Sequence, residues 1–73
     1  MRSNLHDLLL PGARGYGLEL TEDKEGLWLC RPDDGSKILV VKSEESKRPW
    51  REIRETVAPK YDAAREAMGK PIV

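Results

Sequence analysis

The chain has 73 residues, 13 basic and 13 acidic side chains, no net charge, and 38% hydrophobic residues with two Trp, two Tyr and no Phe. A single small domain of this size buries only roughly 60% of the surface its unfolded form exposes, enough for one thin core layer and too little for the walls of a deep catalytic cleft. Charge neutrality excludes a polybasic coat for nucleic acid. One cysteine excludes an intramolecular disulfide and CxxC metal ligation, and no apolar run approaches the roughly 20 residues of a membrane span.

The opening MRSNLHDLLL is amphipathic. Asn4 caps a turn or two of helix with Leu5, Leu8 and Leu9 on one side, and Pro11-Gly12 stops it. PGARGYG then reads as a flexible connector, so residues 1–15 form a loosely held N-terminal segment. From Tyr16 the period changes to two: Tyr16, Leu18 and Leu20 point one way, Glu19 and Thr21 the other. EDKEG is a polar turn, LWLCR a second strand, and KILVVK a third. Pro32 to Gly35 is a turn with Gly35 in the left-handed position. Short connections predict a three-stranded antiparallel meander over residues 16–42.

After Lys42 the pattern is helical. Ser43 or Ser46 is the expected N-cap, with Pro49 in the first turn. Trp50, Ile53, Val57, Tyr61, Ala64 and Met68 recur at spacings of three and four and make one apolar stripe over residues 46–68. Pro59 interrupts the stripe and predicts a kink or break, and Gly69 is the expected C-terminal cap. The fold class is α+β: a three-stranded meander followed by a C-terminal helix, with a short N-terminal helix before it.

The side chains that carry chemistry are few and scattered. His6 is the sole histidine, with Asp7 next to it in sequence and directed away on a helix, and it reads as a packing residue. Cys30 becomes a nucleophile only where a base or a helix N-terminus lowers its pKa; in a strand it is inert. Glu22, Asp23, Glu25, Asp33 and Asp34 all fall in predicted turns, where water leaves carboxylates ordinary. Asp33-Asp34-Gly35 lacks the alternating ligands and final Glu of a calcium loop. PGARGYG leads into a strand and has no GK[ST], so it is no phosphate loop, and its one Arg-Gly step is no RNA-binding repeat. No catalytic, cofactor or metal residue is assigned, and no cofactor is expected.

What remains is the surface. GLWLC and KILVV place apolar residues on both sheet faces, against the clean alternation of a half-covered sheet. Either Leu27 and Leu29 lie beneath the helix and Trp28 and Cys30 face outward, or the reverse. The N-terminal leucines cover the second face, or that face binds a protein partner, for which Trp beside Arg is the composition of an interface hot spot. The partner-binding candidates are Trp28 and Arg31 on the open face with Lys37 near them, and Arg48 and Arg51 as a second basic edge within KRPWREIR. Arg48–Glu52 and Arg51–Glu55 are also spaced for mutual pairing. Laying the sheet in a DNA groove is the runner-up, weakened by six acids against four bases over residues 16–42.

In its size and in the general character of MRSNLHDLLLPGARGYG and KSEESKRPWREIRETVAPKYD, the chain resembles the small phage-encoded regulators that bind host RNA polymerase. The resemblance implies a non-enzymatic protein of the host cytoplasm that binds the large polymerase subunits, inhibits σ-dependent initiation and lets elongation pass terminators. It carries over no site residue. A monomer that binds neither DNA nor membrane is expected; another phage inhibitor, such as an anti-CRISPR, has a similar profile.

Overall fold

The computed structural model describes residues 4–70. Its elements are α1 (Asn4–Arg14), β1 (Glu19–Asp23), β2 (Gly26–Cys30), β3 (Lys37–Lys42), α2 (Ser43–Ser46) and α3 (Trp50–Met68). The strands form one antiparallel sheet in the order β1-β2-β3, so the α+β meander with flanking helices is present.

Leu20 pairs with Leu29, and Leu29 with Ile38, while Leu27 pairs with Val41. The leucines of β2 therefore point into the core, where both are fully buried. Between Leu27 and Trp28 the β2–β3 register slips, leaving Val40 as an extra residue on β3. A bulge of this kind sets two residues against one and re-aims the side chains beyond it. It buries Val40 and Val41 together and turns Leu39 to the face of Trp28. The broken alternation of KILVV thus has a backbone cause. Gly26 sits at φ 140° beside it, where a Cβ would collide with the Val41 carbonyl. Gly35 takes the left-handed conformation expected of it, with φ 75°, and its N–H bonds the Arg31 carbonyl at 2.9 Å.

All six stripe residues of the C-terminal helix face the sheet: Ile53, Val57, Tyr61, Ala64 and Met68 are buried and Trp50 is half-buried against the same core. The expected kink at Pro59 is not shown; α3 is assigned as one helix across it. Pro59 and Glu55 are both exposed, so the Glu55 carbonyl that loses its partner is on the wet side of the helix. The helix begins after Pro49, which stands before the first turn, and Ser43–Ser46 forms its own short turn of helix. There the N-cap is Lys42, whose N–H donates to Glu45 Oε1 at 3.0 Å. Gly69 is extended, with φ −141°. What requires glycine there is close approach to the Tyr16 carbonyl and the Leu18 side chain.

The N-terminal segment differs most from expectation. Helix α1 continues through Pro11 and Gly12 to Arg14, and Tyr16 lies in the following turn rather than in a strand. Tertiary packing overrides the two helix breakers: Ala13 is fully buried, and Gly12 lets α1 approach α3 closely, since a Cβ there would meet the Tyr61 hydroxyl at 2.8 Å. The Tyr61 hydroxyl donates to the Leu9 carbonyl. Arg65 reaches the Gly12 carbonyl at 3.4 Å and lies over the rings of Tyr16 and Tyr61, 4.6 and 5.0 Å from their centres. A cation near the last carbonyls of α1 also complements the helix dipole.

Leu5, Leu9 and Ala13 join the same core as α3. Helix α1 therefore packs on the inner face, beside β1, and does not fold over the second face. His6 is buried, and its Nε2 donates to the Leu20 carbonyl at 2.9 Å, which places a proton on that nitrogen. A hydrogen-bonding position of the edge strand β1 is thereby taken by a side chain. Asp7, expected to point away, brings Oδ1 within 3.4 Å of His6 Nδ1.

Candidate partner-binding face

With α1 and α3 on the inner side, the outer sheet face carries two cross-strand rows: Thr21, Trp28 and Leu39, then Glu19, Cys30 and Lys37. The apolar members are half-buried and the charged ones exposed. Of the two alternatives for GLWLC, the structure adopts the one with Trp28 and Cys30 outward.

Two contacts hold Trp28. Its Nε1–H donates to Asp23 Oδ1 at 3.0 Å. The same oxygen accepts the Glu25 and Gly26 N–H groups at 2.8 and 3.3 Å, so the carboxylate that shapes the β1–β2 turn also fixes the indole. Lys37 Nζ lies 4.5 Å from the centre of the Trp28 ring, a cation–π contact. The indole N–H, then the backbone N–H groups and the Lys37 charge, hold the Asp23 carboxyl below its usual range. The anchor is therefore present above the ordinary carboxylate pKa and is lost as pH falls through the lower folded value. On the same face, Cys30 Sγ is 3.3 Å from Thr21 Oγ1, and the thiol is half-buried within the strand.

The five candidates do not form one site. Trp28 and Lys37 are in contact. Arg31, expected on the open face beside them, is elsewhere: one residue beyond Cys30, the strand alternation turns it to the opposite side. There it lines a hollow with Tyr16, Leu18, Glu66 and Met68 and comes within 4.0 Å of Asp34. The hydroxyl and N–H of Ser36 hold Asp34 low in pKa and fix that turn. Arg48 stands between α2 and α3 and Arg51 in the first turn of α3, both exposed. Among the described residues no ion pair joins Arg48 to Glu52 or Arg51 to Glu55; Arg48 precedes the helix, so the i,i+4 spacing does not apply to it.

Sequence reasoning missed Leu39 and Asp23. The bulge that exposes Leu39 has no sequence signature beyond the conflicting pattern of KILVV. Asp23 was legible as a turn residue but not as the acceptor of an indole five residues on. Among the described residues no cluster of three or more His, Cys, Asp or Glu side chains has the geometry of a metal site, and no helix is long and apolar enough to cross a membrane. Comparison of the chain with protein-family models, with curated proteins and with solved structures finds no match.

Proposed function

We propose that this chain is a non-enzymatic phage protein that binds the large subunits of host bacterial RNA polymerase in the host cytoplasm, as a monomer. Binding inhibits σ-dependent initiation and favours passage through terminators. The observation that carries the binding role is the uncovered sheet face with Trp28 at its centre. A small domain with so little core leaves a tryptophan outside it, and holds that tryptophan in place through Asp23 and Lys37. An aromatic side chain fixed before contact loses little further rotamer freedom on binding, which suits an interface anchor. The resemblance to phage-encoded polymerase regulators supplies the partner. A protein is favoured over DNA because Glu19 and Asp23 lie beside this face and repel phosphates.

The test is binding of the tagged chain to purified core polymerase, with promoter run-off as the functional readout. Trp28→Ala is expected to weaken binding by about 2 kcal/mol, the threshold of a hot spot, while cooperative melting persists. Failure of the wild-type chain to bind core enzyme would remove polymerase as the partner. Equal binding by Trp28→Ala would remove the sheet face as the contact.

A further inference from the structure

A second concave surface lies on the helical side of the molecule, away from Trp28. Where the start of α1 meets the α2–α3 corner, a groove of about 450 Å³ opens between Leu5, Leu8, Pro49 and Trp50, with Lys47 and Arg48 at its margin. Its volume is in the roughly 300–1,000 Å³ range of ligand sites. Leu8 is 51% exposed, although neighbouring Leu5 and Leu9 of the same helix are buried. Trp50 is half-buried, packs against the core and also lines the groove. Lys47 and Arg48 are exposed, and among the described residues neither is in an ion pair.

We infer that this groove docks an acidic amphipathic segment of a partner protein, with one bulky apolar side chain seated between Leu8 and Trp50 and flanking carboxylates on Lys47 and Arg48. An apolar floor with basic margins is complementary to that chemistry: the floor gives affinity through burial and the margin selects charge. Nucleic acid fits less well. Single-strand binding relies on several stacking rings in a row, and Trp50 is the single aromatic ring among the described lining residues. Glu45 is itself occupied by the Lys42 N–H and by Lys60 Nζ, 3.9 Å away, which leaves Lys47 and Arg48 available to the groove. The inference does not depend on polymerase being the partner of the sheet face.

The experiment is an amide chemical-shift titration of the full chain with a short peptide of leucine, phenylalanine and glutamate, and with its twin in which every glutamate is lysine. Saturable shifts confined to Leu5, Leu8, Lys47, Arg48 and the Trp50 indole are expected with the acidic peptide. Binding should weaken at least roughly tenfold in Leu8→Ser and in the double variant Lys47→Glu, Arg48→Glu. The double variant leaves the core untouched, and both are checked by thermal melting. Equal binding of the lysine twin, shifts centred elsewhere, or no saturation by the acidic peptide would overturn the inference. So would a preference for a single-stranded oligonucleotide, or self-association of the chain that buries these residues.

Discussion

Tyr61 ties the two helices together through one oxygen, and that oxygen makes the fold sensitive to alkali. Burial pushes its hydroxyl above the ordinary value of 10.0, against the favourable charge of Arg65. In the unfolded chain the phenol ionises at its ordinary pKa, while the folded chain resists. The stabilising difference is therefore complete below pH 10 and is lost as pH rises from there through the folded value. Tyr61→Phe is expected to weaken the neutral protein by roughly 0.5–1.5 kcal/mol through the lost bond to Leu9 and to flatten the alkaline decline. Urea unfolding across pH 7 to 11, comparing the two proteins, measures both effects. A decline of the same slope in Tyr61→Phe would assign it to another group.

Among the elements, the proline-containing helices show where intrinsic preference gives way to packing. Helix α3 crosses Pro59 without a break, with the ring and the freed Glu55 carbonyl on the exposed side. Replacing it restores a backbone bond at little steric cost, so Pro59→Ala is expected to raise stability by roughly 1–3 kcal/mol, read as a higher urea midpoint at unchanged slope. No gain would mean that the proline is compensated locally. The sequence made α3 legible because six apolar residues at helical spacing outweigh one breaker. The same reasoning ended α1 at Pro11, three residues short, because nothing local signals that Ala13 is fully buried or that Gly12 exists to admit Tyr61. The strands were legible by their period of two. The face of each residue in β3 was not, since a bulge is decided by how β2 and β3 pair. Arg31 was misplaced for a related reason: adjacency to Trp28 in a strand suggests proximity, while alternation sends the two apart.

For the whole molecule, the sheet face and the basic corner are separate surfaces on a body only 30 × 22 × 16 Å in extent. They should contribute to binding in different ways. Trp28 is the proposed anchor, expected to govern how long a complex lasts. Arg48 and Arg51 are exposed charges, expected to govern how quickly it forms, because margin charges act chiefly on encounter. The double variant Arg48→Glu, Arg51→Glu is therefore predicted to slow association with core polymerase at low salt and to converge on wild type as salt rises. Stopped-flow kinetics at two ionic strengths separates the terms, and an unchanged on-rate would confine recognition to the sheet.

The bond from His6 to Leu20 has a consequence for crowding. Fibrous growth of a sheet needs two pairing edges, one to join and one to be joined. Here α1 packs on β1 and His6 takes one of its carbonyls, which hinders pairing at that rim and leaves β3 as the more open one. Two copies meeting there would consume each other's rim and stop. At high concentration of the chain, edge pairing would therefore favour a closed pair over continued growth.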